Sequence, residues 1–147
     1  LSLQKQLEKL GAYVVMTRSD ERNITLKERN QITYDINPDF IISIHHNSLN
    51  SNVDIKNYSG LLTLYTKEFS KRFAQTVHNS LKNNIDRKSM GVKYQSLAVC
   101  RVTEAPAILL ELGFISNPYE FENLSNPEII EKEAKAIAQG IIDFCSE

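Results

Sequence analysis

Two places in this chain carry side chains that an ordinary apolar core has no use for: Ser43-Ile-His45-His46-Asn47 and Glu111. The first closes an apolar, β-branched run, Asp39-Phe-Ile-Ile-Ser-Ile44, which is too short for a helix of its own and reads as a strand. In open α/β sheets, ligands bind at the carboxyl ends of the strands. A histidine there is a metal-ligand candidate, but taken alone it is more often a hydrogen-bonded structural residue. Side chains alternate along a strand, so His45 and His46 face opposite sides and share one metal only if the strand bends. Glu111 stands in an otherwise apolar strand, Ala107-Ile-Leu-Leu110, followed by Leu-Gly-Phe. Burying a carboxylate without a partner costs several kcal/mol. It is therefore either paired, with Arg101 or Arg87 as the cations at hand, or held at the sheet edge to move protons.

The elements that must position these residues follow from periodicity and punctuation. Leu3, Leu7 and Leu10 recur at helical spacing before Gly11, and Ala12 to Thr17 reads as a short buried strand. Ser19 to Asn23 is a polar loop. A second helix runs from Thr25, spaced with Glu28 as a capping box, through Leu26, Arg29 and Ile32 to Asn37-Pro38. After the histidine strand, Asn47 to Tyr58 is polar and reads as an exposed loop. Gly60 to Tyr65 is a strand, and Phe69, Phe73, Val77 and Leu81 form the apolar stripe of a helix. Asn83 to Gly91 is a turn-rich link. Leu97 to Arg101 and Ala107 to Leu112 read as strands, Pro118 to Leu124 as a short helix. Pro127 opens a last helix with Ile130, Ala134, Ile137, Ile141 and Phe144 on one face.

This alternation predicts a single α/β domain, a mostly parallel central sheet with helices on both faces. Phe40 to Ile44 and Ile108 to Leu110 are the expected central strands, packed on both sides. The 147 residues, 41% hydrophobic and 24% charged, suit one core. A net charge of -1 supplies no global basic field for nucleic acid or an anionic membrane surface. No apolar run approaches the ~20 residues of a membrane span. Cys100 and Cys145 read as separate thiols, Cys100 packed as a small hydrophobe, which leaves no Cys-based zinc site.

With these elements in place, Leu110-Glu111-Leu-Gly-Phe-Ile-Ser-Asn117, preceded by Pro106-Ala-Ile-Leu, closely resembles the signature of the zinc-dependent N-acetylmuramoyl-L-alanine amidases of the type 3 family. Ser43-Ile-His45-x-Asn47 resembles that family's second histidine motif. Gly11 to Arg18 with Asp20, Leu26-x-x-Arg29, Gly91-Val92 and Leu97-x-Val-x-Arg101 agree in register, so the resemblance covers nearly the whole chain. It implies a peptidoglycan hydrolase that cuts the amide between N-acetylmuramic acid and L-alanine. The implied cofactor is one Zn2+ held by His, Glu and His, with a water at an open position. By position His45 carries over as the second histidine ligand and Glu111 as the glutamate that handles the proton; His46 falls where no ligand is needed. The resemblance further implies an extracytoplasmic site of action, at the periplasm or cell wall or after secretion. It makes peptidoglycan the partner, and leaves room for a protein activator or an added wall-binding domain.

The sequence departs from the family at its beginning. The Gly-His-Gly-Gly turn and the glutamate ligand near the start of the first helix are absent, and Leu1 falls within an amphipathic helix already under way. The expectation is an amidase catalytic domain over residues 1–147 without its N-terminal strand and the start of its first helix. Such a chain offers one of three zinc ligands and binds the metal poorly by itself. The competing expectations are a catalytically inactive amidase-like domain that binds peptidoglycan or a protein, and a zinc carboxypeptidase acting on wall peptides.

Overall fold

The computed structural model describes residues 1–49, 58–101 and 104–147. The polar loop expected between Asn47 and Tyr58 falls largely on residues 50–57, outside the described residues. The elements are α1 (Ser2–Lys9), α2 (Leu26–Ile36), β1 (Ile41–Asn47), β2 (Leu61–Tyr65), α3 (Lys71–Asn84), β3 (Ser89–Tyr94), β4 (Ala107–Phe114), α4 (Pro118–Leu124) and α5 (Pro127–Ser146), with 3-10 turns at Glu68–Ser70 and Ala98–Cys100.

Local chemistry sets the helix ends. Glu28 N–H donates to Thr25 Oγ1 while the Glu28 carboxylate accepts from Thr25 N–H at 2.7 Å, the expected capping box. Asn126 caps α5 through Glu128 N–H, and Pro127 occupies the first turn, where no backbone donor is missed.

The four strands form one sheet in the order β1-β4-β2-β3. β1 runs parallel to β4 and β2 parallel to β3, while β2 is antiparallel to β4, so the sheet is mixed. Two of its three pairings are parallel, in keeping with the α/β reading. On one face Ile108, Leu110 and Leu112 of β4 and Leu61 and Tyr65 of β2 pack against Phe73, Ala74, Val77 and Leu81 of α3 and Ala136 and Ile137 of α5. α3 and α5 touch closely at Gly140, where a Cβ would lie 2.7 Å from Val77 Cα. On the other face Ala107, Leu109 and Leu64 meet Cys100, Leu97 and Val99, with α2 lying against that turn. β4 is buried along its length apart from Glu111, as a strand flanked on both sides must be.

Four expectations are corrected. β1 is an edge strand rather than a central one, and Ile44 is 45% exposed. An apolar run shows that a strand is half-buried or more; its place in the sheet depends on partners distant in sequence. Ala12 to Thr17 forms no strand, and Tyr13 is 88% exposed. β-propensity without a ladder partner does not make a strand, and no described strand lies beside this segment. Leu97 to Arg101 forms a 3-10 turn, whose backbone groups find partners without a ladder: Cys100 N–H donates to Leu97 O, and Leu97 N–H to Thr66 Oγ1. The link expected over Asn83 to Gly91 holds the end of α3 and the start of β3, whose edge position tolerates the polar, glycine-bearing sequence Ser-Met-Gly-Val-Lys-Tyr.

Candidate active site

β1 and β4 lie parallel with Ile41 opposite Ala107, Ser43 opposite Leu109 and His45 opposite Glu111. Since Ile41, Ala107 and Leu109 belong to one apolar cluster, alternation puts His45 and Glu111 on that same face, side by side in the carboxyl-terminal halves of their strands; Glu111 does not end its strand as expected, because β4 continues to Phe114. Sixty-five intervening residues separate them in sequence, and one step across a parallel ladder joins them. Ser43 Oγ and His45 Nε2, two residues apart on that face, share a hydrogen bond at 2.9 Å.

Among the described residues no cation pairs with Glu111. Its Oε2 is buried and makes no hydrogen bond, and burial pushes the carboxyl above the ordinary glutamate range. The two arginines that sequence offered as partners are engaged elsewhere. Arg101 donates to Ser96 Oγ at 2.8 Å, and Arg87 ion-pairs with Glu133 at 2.6 Å and with Glu120 at 3.6 Å. An unpaired, partly desolvated carboxylate beside an imidazole has spare capacity to accept a proton.

Both strand-end histidines stay neutral more readily than in water. Burial lowers the His45 pKa, with Arg29 of α2 adding to it; burial lowers His46, with Arg87 and then His45 contributing. A neutral imidazole is the form that ligates a metal. The different arginines acting on the two rings fit their opposite faces. The third histidine, His78, is structural: its Nδ1 lies 3.0 Å from Thr63 Oγ1 and its Nε2 2.7 Å from Ser89 Oγ.

The donor chemistry of His45 and Glu111 suits a zinc site, and the unpaired Oε2 is the feature such a site would use. The set is nevertheless short, since no group of three His, Cys, Asp or Glu side chains gathers among the described residues. His45 can therefore serve as one ligand of a larger set.

Sequence reading passed over a second acidic group nearby. Glu120 and Glu133 are buried together with Arg87. A signal existed for Glu133, which falls on the apolar stripe of α5 between Ile130 and Ala134, where a carboxylate needs a partner. Glu120 gave no such sign, because α4 is too short to show a stripe.

Comparison with known proteins identifies the family. The Amidase_3 family model, N-acetylmuramoyl-L-alanine amidase, matches residues 1–143. The Staphylococcus epidermidis protein named "Probable cell wall amidase LytH" is 35% identical over 141 residues, covering 96% of this chain and 44% of that protein. The chain thus spans under half the length of this relative. Among solved structures, the catalytic domain of CwlV, an N-acetylmuramoyl-L-alanine amidase from Bacillus (Paenibacillus) polymyxa var. colistinus, superposes with a TM-score of 0.90. It is 30% identical, over 99% of this chain and 79% of that one. The CwlD amidase of Clostridioides difficile, solved in complex with the GerS lipoprotein, gives a TM-score of 0.91 at 27% identity, over 99% of this chain and 81% of that one. By fold and by family match, this chain belongs to the N-acetylmuramoyl-L-alanine amidase family.

Proposed function

We propose that the protein hydrolyses the amide bond between the lactyl group of N-acetylmuramic acid and L-alanine in peptidoglycan, with zinc as cofactor. The observation that carries this reading is the placement of His45 beside Glu111, whose buried Oε2 has no partner, in the carboxyl-terminal halves of adjacent parallel strands. His45 would be one zinc ligand, completed by donors outside the described residues. When bound, zinc would polarise the lactyl carbonyl and bring the pKa of a water toward roughly 7. Glu111 takes a proton from the attacking water as its oxygen bonds to the carbonyl carbon. It then delivers that proton to the L-alanine nitrogen as the C–N bond breaks. Desolvation keeps the carboxylate basic enough for the first transfer, and the acid formed is a competent donor for the second.

A catalytically inactive domain that binds peptidoglycan or a protein is the second reading, favoured by the incomplete donor set among the described residues. Under either reading the site of action is extracytoplasmic, where peptidoglycan lies. A lipoprotein partner, such as the one in complex with CwlD, fits the first.

The test is made on the full-length gene product, with zinc content measured alongside the release of peptides bearing free L-alanine amino termini. Glu111→Gln should keep its zinc and lose cleavage, by roughly 10²- to 10⁴-fold. His45→Ala should lose zinc and activity together and recover partly with excess metal. Near-normal hydrolysis by Glu111→Gln overturns the catalytic role. Full zinc occupancy in His45→Ala removes that residue from the ligand set. Wild-type protein that sediments with peptidoglycan, carries zinc and releases nothing supports the binding module.

A further inference from the structure

The backbone beyond Glu111 does not continue the regular ladder. From His45 to Asn47 is two residues, whereas the matching step on β4, Glu111 to Phe114, is three. The extra residue makes a β-bulge that begins at the carboxylate. Such bulges re-aim the side chains beside them, and an unsupported one would let Glu111 swing.

Support comes from buried charges. Glu120 Oε2 accepts from Phe114 N–H at 2.8 Å, and its Oε1 accepts from Gly60 N–H at 3.0 Å, just before β2. Arg87, held against Glu120 and Glu133, donates through Nη1 to the carbonyl of Leu112. The bulge is thus gripped at Leu112 on one side and Phe114 on the other. Gly113 between them lets the clamp close, since a Cβ there would stand 3.3 Å from Glu120 Oε2 and 3.0 Å from Leu124 Cδ2. Plain stability is a poor reason for this arrangement, because well-packed apolar residues commonly replace buried ion pairs at no loss.

We propose that Glu120 and Arg87 are positioning residues for the reaction: they fix the bulge that follows Glu111 and so set the direction of its carboxylate toward His45. This rests on the amidase reading above. Neither residue touches the reacting atoms. Their effect is on the geometry of proton transfer, where displacement of about 1 Å is worth roughly 10²-fold in rate.

The experiment uses the zinc-loaded full-length protein and soluble N-acetylmuramoyl-peptide fragments, so that kcat and KM are separated and expressed per folded, zinc-bearing molecule. Wild type, Glu111→Gln, Glu120→Gln and Arg87→Lys are compared. Glu120→Gln should lower kcat at least ~10-fold, with KM within about 2-fold and zinc content unchanged. Arg87→Lys should show the same split, and it decides the matter if Glu120→Gln does not fold. A purely structural role would reduce the yield of folded protein and leave kcat per folded molecule within about 2-fold of wild type; that result overturns the proposal. If Glu111→Gln is as active as wild type, the amidase mechanism itself fails, a result distinct from a silent Glu120.

Discussion

Glu111 is a position that costs the fold stability. Its buried Oε2 has no partner, so the fold holds a carboxylate at some cost. In the metal-free chain, Glu111→Gln removes the charge and keeps the shape. It should raise the thermal midpoint by about 2–4 °C, corresponding to ~1 kcal/mol in a domain of this size. Differential scanning calorimetry checks this, and a lowered midpoint would show that the carboxylate is satisfied in solution. The cysteines separate just as cleanly. Burial pushes the Cys100 thiol up to about 11, whereas Cys145 is exposed, and the two are not bonded to each other. Titration with a thiol reagent at pH 8 should find one reactive group in the folded protein and two after denaturation.

β4 and β1 behave differently although both read as apolar runs. Leu110 on β4 is fully buried against α3 and α5, so Leu110→Ala should cost about 2–5 kcal/mol in chemical denaturation. Ile44, opposite it on β1, is 45% exposed on a strand with no described neighbour on its outer side. Ile44→Lys should therefore leave stability within about 1 kcal/mol while reducing self-association, read by light scattering, because charges on exposed edges discourage strand pairing. Large destabilisation by Ile44→Lys would place this face inside the core.

Across the whole molecule, the Arg87 network joins the link before β3 to α4, α5 and the end of β4. Breaking a buried pair by removing one partner leaves an uncompensated charge, so Glu133→Ala should cost about 3–5 kcal/mol. Stability should also fall with acid. Burial lowers the pKa of His78 in the folded state below its ordinary value of 6.5. Above that value the ring is neutral in both states and the stabilisation is complete. As pH falls from 7 toward 5, the unfolded chain takes up the proton first, and stability is lost. His45 and His46 act in the same sense, while Glu133, with its pKa raised by burial, acts in the opposite sense at lower pH. Unfolding at pH 7, 6 and 5 should show a smaller loss for His78→Gln than for wild type; equal slopes would exclude His78 as a contributor.

Sequence alone determined what depends on neighbours in the chain. The Thr25–Glu28 box and the Asn126-Pro127 start are local hydrogen-bond and φ preferences, and both helices begin there. The period of four through Phe73, Val77 and Leu81 similarly fixed the buried face of α3. The apolar runs of β1 and β4 marked the strands on which His45 and Glu111 stand, although β4 runs on to Phe114 beyond the expected end. Tertiary structure decided the rest, because strand pairing is a contest among distant segments. It put β1 at an edge, denied Ala12 to Thr17 a ladder, and folded Leu97 to Arg101 into a turn anchored on Thr66. It also drew Arg87 away from Glu111 to Glu120 and Glu133, since opposite charges meet wherever packing buries them together. The alignment of His45 with Glu111 arises from one parallel register, in which a shift by a single residue would turn either side chain to the far face.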